Sequence, residues 1–278
     1  MEWMQLPAMF TTNVTTSGKI STPSAITREF VTSGYFGGLS GDPAGGKTRV
    51  VTQNNAGPTY WVGNQANGSA FVAMWGVEGA VGHYDYGSLT MARTLGSDPN
   101  QVSINGRRVL VGWIGGTPAS QSLARDLSLS SKYELLQAFV PELQTLRIPN
   151  TFVSLASESG SGSGFALDIN SAGAKTTFFT EIVAEFTFDP MNPPQDVFGI
   201  TVLGDGFRHT SMLMDCTDAT KKNLMGNCQV CTDATLQGGK MDCGPLYGEA
   251  ASKGAVRLHA YVDGVITEAI WNNRTGEL

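Results

Sequence analysis

Gly106-Arg107-Arg108-Val109-Leu110-Val111-Gly112-Trp113-Ile114-Gly115-Gly116 is the stretch from which the fold is read. A short run of Val, Leu, Trp and Ile opens on two arginines and stops at paired glycines. β-Branched and aromatic residues in so short a run, closed by glycine, read as a strand. The pattern recurs on both sides. Upstream lie residues 48–52, 59–63 and 70–75, each bounded by Gly, Asn or Pro. Downstream, residues 180–188 set Glu181 and Glu185 against Ile182, Ala184 and Phe186. That period of two marks a half-buried antiparallel strand. Residues 197–203 read as another strand. Residues 256–262 and 265–271 flank Asp263-Gly264, the strongest hairpin signal in the chain. Helical periodicity is weak. Only residues 131–147 predict a turn or two of helix, around Leu135, Leu136 and Phe139, and Pro141 interrupts it. The fold class is therefore all-β.

Composition agrees with that class and excludes others. The chain has 278 residues, 18 basic and 24 acidic, for a net charge of -6. Hydrophobic residues make up 41% and charged residues 15%, enough apolar content to bury a core and exclude general disorder. Gly at 34 and Pro at 12 fit many short strands and turns. No window approaches the ~18 consecutive apolar residues of a membrane span. No Lys/Arg-rich stripe is present, so neither nucleic acid nor membrane is an expected partner. Met1-Glu2-Trp3-Met4 lacks the basic start of a signal peptide. Sequons at Asn13, Asn67 and Asn273 nevertheless point to passage through a secretory pathway. Both observations fit a natural start upstream of Met1. The Ser/Gly-rich residues 154–164 read as a flexible loop. A boundary near Glu142 divides the chain into two all-β units, 1–141 and 142–278.

Cys216, Cys228, Cys231 and Cys243 cluster late in the chain. Cys228-Gln229-Val230-Cys231 has metal-ligand spacing, so tetrahedral zinc is one reading and two disulfides the other. Without a βαβ pattern a thioredoxin-like role is excluded. Four cysteines allow three connectivities. His83, His209 and His259 are scattered, with no acidic partner at ligand spacing, and read as ordinary strand or surface positions.

Four segments, in order, resemble glycoside hydrolase family 32, the invertases, inulinases and fructanases. His83-Tyr84-Asp85-Tyr86-Gly87 through Leu95 is similar to that family's D-Y-G-x-F-Y-A-x-K-T-F. Residues 106–115 resemble its G-R-R-V-L-x-G-W-I. Ala124-Arg125-Asp126-Leu127-Ser128-Leu129, with Leu135-Leu136-Gln137 and residues 140–147, resembles its P-R-E-L-S-L, L-L-Q and P-V-x-E-L-x-x-L-R run. Residues 261–268 are similar to its V-D-x-S-I-V-E hairpin. The resemblance implies the last blades of a five-bladed β-propeller in 1–141, then a β-sandwich in 142–278. It implies β-fructofuranosidase chemistry on sucrose or a fructan, without cofactor or metal, in a secreted or vacuolar protein. For such a protein disulfides among the four cysteines are favoured over zinc.

The family's retaining mechanism needs two carboxyl groups roughly 5–5.5 Å apart. Its nucleophile lies in N-D-P-N-G. Ser97-Asp98-Pro99-Asn100-Gln101 has that look but sits in the wrong place and reads as a turn. Arg125-Asp126-Leu127 likewise stands outside the family's R-D-P position and reads as the exposed end of a strand. Residues 4–10 resemble W-E-C-P-D-L-F when Pro7 is aligned, which sets Gln5 at the acid/base position and Ala8 in place of its Asp. An amide cannot give up a proton near neutral pH. No catalytic residue is then intact, and hydrolysis is not expected. Asp85 and Tyr86 are the implied substrate-binding residues. A carbohydrate-binding or structural protein derived from the family is the alternative.

Overall fold

The computed structural model describes residues 5–11, 14–16, 19–21, 28–35, 58–65, 72–73, 81–85, 87, 89–95, 107–114, 120–130, 135–149, 151, 154, 179–189, 197–202, 210–215, 229–234, 241–245, 254–264 and 266–272. Before Tyr84 it describes backbone alone. The first two sheets use strands up to residue 139. In one, β1 (Gln5–Thr11) pairs with β4 (Arg28–Tyr35), and β4 with β5 (Pro58–Gln65). β6 (Val72–Ala73) and β7 (Val81–His83) also pair with β5. In the other, β8 (Leu89–Leu95), β9 (Arg108–Ile114), β11 (Arg125–Ser130) and β12 (Leu135–Phe139) run antiparallel, neighbour on neighbour. β10 (Ser120–Gln121) lies on the end of β9. β2 (Val14–Thr16) and β3 (Lys19–Ser21) form a hairpin, with β2 parallel to the end of β11. Successive antiparallel meanders of this kind are the blades of a propeller.

Pro7 lies where the β1–β4 register shifts, between Gln5 and Ala8. Proline has no N–H for the ladder, and a bulge accommodates it.

The remaining strands form two smaller sheets. β13 (Phe179–Thr187), β18 (Ala255–Asp263) and β19 (Ile266–Trp271) pair in that order. β14 (Val197–Val202), β15 (Thr210–Asp215), β16 (Gln229–Ala234) and β17 (Met241–Pro245) pair consecutively. Period-two alternation sends Val256, Leu258, Ala260 and Val262 of β18 inward. There they meet Val202, Met212 and Met214 of the facing sheet. Phe186 joins the layers, with Phe198 at 5.2 Å and Trp271 at 5.8 Å between ring centroids. Each such side chain contributes about 1.5–3 kcal/mol on burial. This is a β-sandwich core.

The hairpin expected at Asp263-Gly264 forms. Asp263 pairs with Ile266, and Gly264 has φ +61°, the positive φ that tight hairpins require. At the other end of β19, Asn272 also has positive φ, and its Oδ1 accepts the Arg257 N–H at 2.8 Å. Asparagine is among the few non-glycine residues that tolerate this region.

The helix expected within 131–147 does not form around Leu135, Leu136 and Phe139. Those residues make β12, and a 3₁₀ helix follows at Pro141–Leu146. β12 buries both faces, so Leu135, Leu136, Gln137 and Phe139 are all interior. A strand buried on both sides shows no alternation to read. The 3₁₀ helix lies between the blade-like strands and the sandwich strands. No helix among the described residues is long and apolar enough to cross a membrane. The loop at 155–164, residues 48–52, the turn at 97–101 and the Asn13, Asn67 and Asn273 sequons lie outside the described residues.

Cys231 is buried and disulfide-bonded, and the β16–β17 register sets it directly opposite Cys243. Cα atoms of directly opposed antiparallel residues lie roughly 4.5–5.5 Å apart, within disulfide range. Non-reducing peptide mapping should therefore find Cys231 joined to Cys243, which leaves Cys216 to pair with Cys228. A Cys228–Cys231 peptide or bound zinc would contradict this.

Candidate functional site

Directly opposed strand residues share a face. On the three-stranded sheet, Tyr261 opposes Glu181 and Glu268, and His259 opposes Ile270. These side chains form the face away from the sandwich core. That face meets β12. The Phe139 ring stands edge-on to His259 at 5.1 Å and to Tyr261 at 4.9 Å. This face of the sheet is thus covered in part as well, while Val183 and Phe179 on it stay exposed, and two polar networks lie on it.

Arg125 is the centre of the first network. It begins β11, yet only 3% of its surface is exposed, so the sequence-based reading of an exposed strand end is corrected. The adjacent Leu127 is buried as well, and the strand lies against the sandwich hairpin rather than water. Arg125 Nη1 donates to Asp85 Oδ2 at 2.8 Å, and Nη2 donates to Glu268 Oε2 at 2.9 Å. The other Glu268 oxygen accepts the Leu123 N–H at 2.6 Å. Asp85 Oδ1 accepts the Gly87 N–H at 2.7 Å, so the carboxylate closes its own turn. Gln137 Nε2 donates to the Tyr84 carbonyl at 2.6 Å, and its Oε1 lies 3.4 Å from Arg125 Nη1. Burial works against the charge on Arg125, but the Asp85 and Glu268 carboxylates outweigh it and raise its pKa. Loss of water around the buried carboxylate raises the Glu268 pKa, opposed by Arg125 and the Leu123 N–H, with the Asp85 charge adding a little to the rise.

Glu181 is the centre of the second network. Arg147 grips it through Nε at 2.6 Å and Nη2 at 2.7 Å. His259 Nε2 lies 2.8 Å from Glu181 Oε1, and the Tyr261 hydroxyl donates to the same oxygen at 3.0 Å. The Arg147 hydrogen bonds lead in lowering the Glu181 pKa to about 2. Burial, helped by the Glu181 carboxylate, pushes Tyr261 to about 12. Burial is the largest influence on His259 and, with smaller help from Arg257 and Arg147, lowers its pKa against the Glu181 carboxylate, so the imidazole is neutral and its Nε2–H donates to Glu181. A third group ties β11 to the 3₁₀ helix: Arg107 donates to Asp126 at 2.9 Å and also pairs with Glu142.

Of the residues singled out in sequence, Asp85 is placed in a formed turn, with its side chain 20% exposed. Tyr86 lies outside the described residues, as do Cys216 and Cys228. Gln5 opens β1 opposite Tyr35, beside the bulge. Nothing local in the chain marks Glu181, Glu268 or Gln137 as network members. His259 reads in sequence as an ordinary strand position; in the structure its ring meets Glu181, 78 residues away and beyond any local spacing rule. No group of three or more metal-type ligands occurs among the described residues.

No family model and no curated protein matches this chain. Its structure is similar to the crystal structure of an exo-inulinase from Aspergillus awamori, with a TM-score of 0.65 and 17% sequence identity. The match covers 98% of this chain and 50% of that one. The chain thus spans about half the length of the enzyme whose fold it shares.

Two measurements follow from these networks. Arg125→Met would leave two buried carboxylates without their cation and should cost about 3–5 kcal/mol in denaturant unfolding. The second concerns pH. The lowered His259 pKa means the unfolded chain takes up a proton first, so stability falls as pH drops below 6.5. The depressed Glu181 pKa gives stability that is present above 4.5 and lost as pH falls toward about 2. Because Arg147 is half-exposed, the Glu181 contribution should be about 1–2 kcal/mol after screening. Glu181→Gln should flatten the lower part of a pH–stability curve, and His259→Asn the upper part.

Proposed function

We propose that this chain is part of a family 32-type glycoside hydrolase architecture that acts on β-fructofuranosyl linkages of sucrose or a fructan. The observation that carries this reading is the fold shared with an exo-inulinase over nearly the whole chain, together with the formed Asp85–Gly87 turn. In the proposed reaction a carboxylate attacks the anomeric carbon of the fructosyl unit. A carboxylic acid protonates the departing oxygen, and water then releases fructose from the covalent intermediate. Residues 1–278 contain no N-D-P-N-G, and Gln5 stands at the position resembling the acid/base. The role left to these residues is binding and scaffolding. Asp85 offers its exposed edge to sugar hydroxyls, with Tyr86 beside it in sequence, and a carboxylate has lone pairs beyond those used by Arg125 and Gly87. The sequons favour a secreted or vacuolar setting.

A second reading, a non-catalytic carbohydrate-binding protein, is favoured by Trp113. Its indole is 46% exposed on β9, directly opposite the exposed Gln121. A half-exposed indole beside an amide offers apolar surface and hydrogen-bonding groups that suit a sugar ring.

We expect the 278-residue chain to release no fructose from sucrose or inulin above a heat-killed control. Loss of a general acid alone lowers rate by ~10²–10⁴-fold. Gln5→Glu should not restore turnover, since the partner carboxylate would still be missing; restoration would overturn this assignment. Retention on immobilised inulin that Asp85→Asn weakens and Trp113→Ala does not would support the first reading. The reverse pattern would support the second.

A further inference from the structure

We propose that Glu268, on the sandwich hairpin, is a positioning residue that acts through Arg125 on the Asp85–Gly87 turn. The proposal rests on the reading above, in which that turn faces the sugar. The contacts run in series. Leu123 N–H and Arg125 Nη2 fix the two oxygens of Glu268, at 2.6 and 2.9 Å. Arg125 Nη1 then reaches Asp85 Oδ2, and Asp85 Oδ1 holds the Gly87 amide. Only the last member meets solvent. Side-chain exposure is 5% for Glu268, 4% for Arg125 and 20% for Asp85. A ligand at the turn would touch Asp85 and neither of the other two.

Sharing one guanidinium between two carboxylates has a chemical consequence. The planar fork of arginine can grip a single carboxylate through two parallel bonds. With Glu268 holding Nη2, Arg125 offers Asp85 only Nη1, and Asp85 keeps Oδ1 for Gly87. Without the Glu268 charge, the guanidinium is free to turn both nitrogens toward Asp85. That rotation would compete with the Gly87 amide and with any sugar hydroxyl for the same oxygens. Meanwhile Gln137 still holds the Tyr84 carbonyl, so the loosening is confined to the turn. Glu268 thereby sets the hydrogen-bonding capacity of a residue 183 positions before it (268 minus 85).

The test uses the full chain and its Glu268→Gln and Glu268→Asp variants, with Glu142→Gln as a control outside the series. Hydrogen exchange over 84–92 is compared with exchange over 109–114 and 256–262. Glu268→Gln should speed exchange in 84–92 by about tenfold, equivalent to ~1.4 kcal/mol of lost local protection, and leave the two strands protected. Glu142→Gln should leave 84–92 unchanged. Equal acceleration in all three segments, or none in 84–92, would overturn the proposal. Should Glu268→Gln fail to fold, Glu268→Asp, which keeps the charge but shortens the reach, decides by the same criterion. A second arm titrates fructose by NMR. Wild type binding fructose, with weaker binding in Glu268→Gln and in Glu268→Asp but not in Glu142→Gln, supports the role in ligand positioning. Wild type that ignores fructose removes the functional reading, while the exchange arm still decides whether Glu268 sets the turn.

Discussion

A single buried guanidinium holds the two parts of this chain in register. Arg125 belongs to a blade strand, Glu268 to the sandwich hairpin and Asp85 to the turn after β7. Removing a charge from water costs several kcal/mol unless its partners are well placed. Here both nitrogens of the fork meet carboxylate oxygens within 2.9 Å. An arrangement that shifted the hairpin along β11 would leave those groups buried and unpaired. Such a network contributes less to net stability than to the choice of one packing over its neighbours.

The three-stranded sheet follows from that constraint. One of its faces supplies the sandwich core, and the other carries His259, Tyr261, Glu181 and Glu268 against the blade side. In an ordinary sandwich that outer face would meet water. Here Phe139 packs edge-on to two of its rings, and Arg147, after the 3₁₀ helix, grips its edge strand. The region near Glu142 is therefore bridged by aromatic, ionic and hydrogen-bonded contacts. The Arg125 network joins side chains from both sides of that region, whereas the Glu181 network draws on residues that all follow it.

The alternation in residues 180–188, the Asp-Gly hairpin and the apolar run at 108–114 were legible because each is a local rule of backbone and side-chain period. The resemblance of residues 106–115 and 124–147 likewise pointed to the fold that the exo-inulinase shares. Residues 135–139 misled, because a strand buried on both faces and a buried helix carry the same apolar run. Of the candidate site, Asp85 was visible from its motif, while the partners of its carboxylate were not.

Sequence alone determined that this is an all-β chain of short strands with a tight final hairpin, since period, propensity and turn chemistry act between near neighbours. Tertiary structure alone decided that Arg125 is interior, that Glu268 answers it across 143 residues, and that a neutral His259 donates to Glu181 across 78. Burial and pairing of charged groups are properties of which surfaces meet. No local spacing specifies that meeting; packing two sheets against a blade does.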